Sequence, residues 1–310
     1  MKATVYKSTG SWYTVKDEAG QWHNARIKGV FKIDGITSTN PIAVGDRVQM
    51  DVEDRTENTA VITDILPRAN YINRQSPRAK YHHHIIAANL DQSFLIATLK
   101  EPKTSQGFID RFLVASEMYH VPPAILFNKA DLYKKKEQEK FEQWKEMYEA
   151  IGYRVFLTST KDKLGIEDLK EAIKGKITLF SGHSGVGKSS LLNEILPDLQ
   201  LRTQDVSGWS GKGMHTTTFA EMFDLGEDIK GAIIDTPGMR EFGLVDLPRQ
   251  ELSHYFPEMR DRLNGCQFNN CLHINEPECA VKEAVIKGEI NEDRYISYVT
   301  ILDSIEDKTY

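Results

Sequence analysis

Two short strings stand in inverted order in this 310-residue chain. Gly182-His183-Ser184-Gly185-Val186-Gly187-Lys188-Ser189 has the G-x-x-x-x-G-K-S spacing of a phosphate-binding loop. Asn128-Lys129-Ala130-Asp131, the N-K-x-D pattern that selects guanine, lies well upstream of it. In an ordinary GTPase the phosphate loop comes first. If both strings serve one pocket, the ends of the chain have been moved relative to the fold, as in a circular permutation. That restricts the architecture more than either string does alone.

The loop chemistry fits its residues. Gly182, Gly185 and Gly187 let backbone N–H groups turn inward and approach phosphate without a Cβ in the way. His183, Ser184 and Val186 complete the cradle, Lys188 brings charge to the β and γ phosphates, and Ser189 offers a hydroxyl to Mg²⁺. Ser190 follows in a helix whose N-terminal dipole points at the same anion. An apolar strand over 177–180 and a helix over 188–195 supply the context that the motif demands.

Asp235-Thr236-Pro237-Gly238 after the apolar run 232–234 suits a second metal-binding element, with Asp235 toward Mg²⁺ and the Gly238 N–H toward the γ-phosphate. Between the two lies Gly213-Met214-His215-Thr216-Thr217-Thr218, where Thr217 or Thr216 is expected to close over the metal; an edge strand is the other reading of this run. Three glycines within 208–213 predict local mobility. Met239 stands where many GTPases carry a water-orienting glutamine, and a thioether cannot hold that water, so slow intrinsic hydrolysis is expected. His215 is the candidate for that catalytic role, with a purely structural switch histidine as the alternative.

Guanine selectivity is assigned to Asn128 and Asp131, because a carboxylate accepts both N1–H and the exocyclic amine, a donor pair that adenine lacks. The stem of Lys129 is expected along the base, and the backbone of Thr158 and Ser159 at the end of the next strand is expected against the guanine oxygen.

Residues 1–66 carry five short strand-like stretches, 3–7, 12–16, 22–28, 46–52 and 60–66, separated by turn signals. That pattern predicts a small OB-type β-barrel, a fold whose exposed face commonly holds oligonucleotides. Residues 67–84, with Arg68, Arg74, Arg78 and Lys80, two prolines and His82-His83-His84, read as a basic linker. From 85 to 245 strands (93–98, 124–127, 154–157, 177–180, 232–234) alternate with helices (109–119, 134–151, 166–173, 188–195), as a mainly parallel α/β sheet requires. Residues 246–310 read as helical, interrupted by a cysteine cluster.

All three cysteines fall in that cluster, and Cys266, Cys271, His273 and Cys279 match a closed structural zinc site; a reduced, metal-free cluster is the alternative. The net charge of −6 argues against coating nucleic acid through bulk charge, although a local basic patch remains compatible with it. No apolar run approaches the roughly 20 residues of a membrane span, and the first residues lack the build of a secretory signal, so a cytoplasmic location with no membrane partner is expected.

With NKxD before the phosphate loop before DTPG, a barrel ahead of them and a zinc cluster behind, the chain resembles the circularly permuted GTPases of small-ribosomal-subunit assembly, the ribosome small-subunit-dependent GTPase A family. The resemblance implies a multidomain α/β protein that hydrolyses GTP to GDP late in maturation of the 30S subunit. It further implies that the subunit stimulates turnover and that the barrel and zinc domain contact 16S rRNA. A monomer is expected. Two alternatives are an RNA-binding module with a static nucleotide site and a P-loop kinase or ATPase.

Overall fold

The computed structural model describes residues 1–28, 41–54, 56–75, 83–197, 220–236, 244 and 247–305. Its first strands are β1 (Lys2–Ser8), β2 (Tyr13–Asp17), β3 (Trp22–Ile27), β4 (Arg47–Asp54) and β5 (Thr59–Ile65). They close in the order β1-β2-β3-β5-β4 and back to β1, with β3–β5 the parallel pair. Alternation along the strands sends Ala3, Val5, Tyr13, Val15, Ala25, Val48, Met50, Ala60 and Ile62 into one interior. The expected OB-type barrel is present.

The segment read as a basic linker is partly sheet. β6 (Tyr71–Gln75) pairs antiparallel with β7 (His83–Ala88), so Arg74 lies in a strand rather than a connector. The prolines and basic residues masked this hairpin, which carries little apolar patterning. Arg68 also holds the barrel together, because its guanidinium donates to both carboxylate oxygens of buried Asp46, each at 2.6 Å. Arg78, Lys80 and His82 lie outside the described residues.

The central sheet is built from β8 (Gln92–Ala97), β9 (Pro123–Phe127), β10 (Arg154–Leu157), β11 (Ile177–Ser181), β12 (Glu221–Asp224) and β13 (Ala232–Asp235), in the order β10-β9-β8-β11-β13-β12. All its pairings are parallel except β12–β13. Strands buried on both faces read as continuous apolar runs, and β8 divides its run between two layers. Leu95 and Ala97 face α1 (Gln106–Met118) and α2 (Lys135–Ala150), whereas Phe94 and Ile96 face α3 (Ile166–Ile173) and α4 (Lys188–Ile195). The first of these helices begins earlier than its apolar period predicts, because Ser105 caps it by accepting from the Phe108 N–H at 3.3 Å. A single-turn helix, α5 (Gly226–Ile229), links β12 to β13.

Beyond the sheet come α6 (Pro257–Arg260), α7 (Ala280–Ile286) and α8 (Glu292–Ser304), with 3₁₀ turns between. Asn291 caps α8 through its side-chain oxygen. Their core of Leu252, Phe256, Met259, Val281, Tyr298, Ile301 and Leu302 includes Val114 of α1, so this region packs directly on the central domain. At that contact Arg294, 1% exposed, reaches Asp110 of α1 at 2.6 Å and Glu258 of α6 at 2.7 Å. Tyr148 of α2 donates to the same Asp110 oxygen at 2.7 Å. Burial alone would push the Arg294 pKa down, but the two carboxylates hold it above the ordinary arginine value.

Candidate nucleotide site and metal centre

The two inverted strings meet. β8, β9 and β11 lie side by side, and the loops at their C-terminal ends converge, which is where open α/β sheets bind ligands. Asn128 stands at the end of β9, buried, and its Nδ2 donates to the Val186 carbonyl of the phosphate loop at 3.0 Å. Its Oδ1 accepts from the Thr158 hydroxyl, also at 3.0 Å. One amide therefore ties the ends of β9 and β10 to the loop after β11. Gly187 makes this approach possible: at φ +94° it favours glycine, and a Cβ there would stand 2.4 Å from Asn128 Nδ2. Gly182 meets the Ile96 carbonyl in the same way, at 2.4 Å.

Asp131 lies in a 3₁₀ turn after Lys129, which adopts left-handed backbone at φ 62°. Its Oδ1 accepts from the Ser159 hydroxyl at 3.0 Å, leaving the other carboxylate oxygen for a ligand. The Lys129 ammonium donates to the Glu101 carbonyl at 2.6 Å, and its stem passes close to the phosphate loop, where a Cβ at Gly187 would stand 3.9 Å from Lys129 Cε. Sequence reasoning missed Tyr133 here. Its hydroxyl donates to the Asn128 carbonyl at 3.0 Å and accepts from the Leu99 N–H at 3.2 Å, locking the neighbouring strand ends together. Burial pushes the Tyr133 phenol up to about 12, so it remains a donor at neutral pH. Nothing in the N-K-x-D pattern announces it. Phe108 was missed as well; its ring stacks on the His183 imidazole with centroids 3.7 Å apart.

Lys188 starts α4 and is 9% exposed, and its ammonium donates to the carbonyls of Gly182 and His183 at 2.8 and 3.2 Å. Ser189 and Ser190 follow in the first turn. Asp235, at the end of β13, is 4% exposed, and its Oδ1 has no hydrogen-bond partner among the described residues. Burial pushes its carboxyl up to about 6; Lys188 pulls it down and Glu221 pushes it further up. Burial likewise lowers the Lys188 pKa, against the attraction of Asp235. A buried, incompletely satisfied carboxylate beside a phosphate cradle is relieved by a cation, so the donor set fits Mg²⁺ carried by a nucleotide. Thr216, Thr217, His215, Gly238 and Met239 lie outside the described residues.

The second cluster is compact. Ligand atoms of Cys266, Cys271, His273 and Cys279 all fall within 4.8 Å of one another. Cys266 Sγ is 3.6 Å from His273 Nδ1 and 4.0 Å from Cys279 Sγ, and His273 Nδ1 is 3.3 Å from Cys279 Sγ. A tetrahedron with Zn–S of about 2.3 Å has edges of about 3.8 Å, so three sulfurs and one nitrogen at this spacing fit a closed zinc site. The loop is fixed from outside: the Tyr295 and Tyr298 hydroxyls donate to the His273 and Leu272 carbonyls at 2.6 and 2.9 Å.

Together these features define the class: a nucleotide-binding P-loop domain of guanine-selecting type in permuted order, between a closed five-stranded barrel and a cysteine–histidine domain. The description "RsgA GTPase" matches residues 65–245 and "RsgA N-terminal domain" matches residues 2–62. The chain belongs to the RsgA GTPase family. It is 49% identical to the small ribosomal subunit biogenesis GTPase RsgA 2 of Bacteroides thetaiotaomicron, over 100% of this chain and 99% of that one. It is 50% identical to the RsgA of Cytophaga hutchinsonii, over 97% and 98%. The crystal structure of YjeQ from Thermotoga maritima superposes with a TM-score of 0.77 at 38% identity, covering 98% of this chain and 97% of that one. That of YloQ, a circularly permuted GTPase, gives 0.74 at 31% identity, covering 100% and 96%. Membership removes the P-loop kinase or ATPase alternative. Among the described residues no helix is long and apolar enough to cross a membrane.

Proposed function

We propose that this chain hydrolyses GTP as an assembly factor of the small ribosomal subunit, binding the nearly mature 30S particle with GTP and leaving with GDP. The observation that carries the reading is the Asn128–Val186 hydrogen bond, which unites guanine selector and phosphate loop despite their inverted order. The names of the relatives supply the ribosomal context. In this reading Asp131 and Asn128 select guanine, with Lys129 along the base and Thr158 and Ser159 at its oxygen. Residues 182–190 hold the phosphates, with Lys188 countering their charge and the Gly238 N–H at the γ-phosphate. Ser189, Asp235 and Thr217 hold Mg²⁺, which when bound neutralises charge on the phosphates. His215 orients the attacking water once the subunit draws it into place. One zinc ion, held by Cys266, Cys271, His273 and Cys279, folds the last domain rather than taking part in the reaction.

The proposed division runs 1–66 for the barrel, 67–84 for the connection, 85–245 for the GTPase and 246–310 for the zinc domain, with the first and last gripping 16S rRNA. The protein acts as a cytoplasmic monomer. GTP turnover measured with and without purified 30S subunits tests the reading. Stimulation toward the roughly 10³-fold or more that activating partners of GTPases supply is expected, and its absence would favour a static RNA-binding module. Lys188→Ala should abolish nucleotide-dependent subunit binding; unchanged GTP affinity in that variant would defeat the phosphate-loop assignment.

A further inference from the structure

The barrel meets the central sheet at β12, the strand that follows residues 198–219 in the chain. The sheet thereby runs without a break through eleven strands of two domains. β1 carries a register shift between Val5 and Lys7. Tyr6 is the extra residue of that shift, and consecutive strand residues face opposite sides, so β1 serves two cores at once. Val5 fills the barrel interior, whereas Tyr6 packs into the core of the central domain.

Three side chains then grip β12 from the barrel side. The Tyr6 hydroxyl donates to Asp224 Oδ1 at 2.6 Å, Lys16 Nζ to Asp224 Oδ2 at 2.7 Å, and Lys7 Nζ to Glu221 Oε2 at 3.0 Å. Glu221 is the register partner of Lys7 on one side and of Asp235 on the other. A second contact backs the first. The Gly45 N–H donates to the Val5 carbonyl at 2.8 Å, and a Cβ at Gly45 would stand 2.2 Å from the Ala88 carbonyl oxygen and 3.3 Å from Cδ1 of Ile234 on β13. The barrel is thus wedged against both strands of the β12–β13 pair, where the buried Asp235 at the end of β13 lies beside Glu221.

We propose that Lys7, Tyr6 and Lys16 of the barrel are positioning residues of the nucleotide site, acting through Glu221 and Asp224 of β12 on the placement of Asp235. This rests on the GTP-site reading above. Half-exposed ion pairs are worth little singly. Here they are joined to a buried tyrosine and to backbone pairing, so β12 cannot shift without moving the barrel. Coupling of this kind is reciprocal: nucleotide state biases the seat of the barrel, and whatever the barrel grips biases nucleotide affinity by the same factor.

The test uses the full chain, loaded in turn with GDP and with a non-hydrolysable GTP analogue, with amide exchange followed in peptides spanning β1 and β2. Exchange there should differ between the two states. Lys7→Gln and Asp224→Asn should each change the ratio of GTP to GDP affinity by about two- to fivefold, and Lys7→Arg should restore the wild-type ratio. Thermal melting of each variant separates this from misfolding. Identical β1–β2 exchange in both states, with both nucleotides bound, overturns the proposal. So does a well-folded Lys7→Gln variant with an unchanged affinity ratio. A chain that binds neither nucleotide overturns the reading of the pocket itself, and this inference with it.

Discussion

Replacing Arg294 by methionine should loosen the seat of the C-terminal domain far more than a surface charge change would. The guanidinium lies between the side chains of Asp110 and Glu258, which are 0% and 5% exposed, and it also sits over the Phe256 ring at 4.6 Å. Methionine fills much of the volume but leaves two carboxylates buried without their cation. Removing one partner from such a cluster costs about 3–5 kcal/mol, which at ~1.4 kcal/mol per tenfold means about 100-fold or more in the opening equilibrium of α8. Native-state hydrogen exchange at the α8 amides reads that quantity element by element, which suits a multidomain chain better than one global melting point. The triple variant Arg294→Met, Asp110→Asn, Glu258→Gln should recover most of the loss, because it removes the stranded charges as well. An Arg294→Met variant whose α8 exchange rises less than about fivefold would show that the carboxylates find solvent when the arginine leaves, and would refute the argument from burial.

Asp131→Asn should lower preference for GTP and raise it for xanthosine triphosphate, read by competition with a fluorescent nucleotide; an unchanged preference would remove Asp131 from the base contact. Asp235 makes a prediction about pH. Its folded carboxyl sits at about 6 against an ordinary 3.8, so the folded, metal-free protein keeps a proton that the unfolded chain releases. Stability should therefore fall as pH rises from about 4 to about 6, by roughly 3 kcal/mol for so buried a group. Asp235→Asn should flatten that dependence in denaturation measured without Mg²⁺, and an equally steep profile in the variant would refute the assignment. Cys271→Ser should lower zinc content below the expected one ion per chain and make residues 247–305 sensitive to protease, as metal loss does where binding supplies folding energy; full zinc content in the folded variant would count against Cys271 as a ligand.

What was legible in the sequence was local. The phosphate loop, N-K-x-D and the cysteine cluster each place their chemistry within a few residues, and the barrel strands announce themselves by alternation ending at turns. The missing parts depend on partners far along the chain. β12 is only four residues long and gains its place from β13 and β1. Tyr133 acts through backbone groups of Asn128 and Leu99 that no side-chain pattern encodes. Arg294 and Asp110 stand 184 positions apart, so neither composition nor periodicity could have joined them. The hairpin of β6 and β7 was hidden for a different reason: prolines and basic residues there outweigh the short apolar runs from which a strand is recognised.

The bulge at Tyr6 also sets a schedule for synthesis. Its aromatic ring belongs to a core that is completed only by residues near Asp224, 218 positions later. At roughly 5–20 residues per second, a ribosome needs about 10–40 s to deliver them. Throughout that interval a folded barrel at the nascent N-terminus would present an apolar ring and two lysines to the cell, a sticky face that disappears only when the last partner strand emerges.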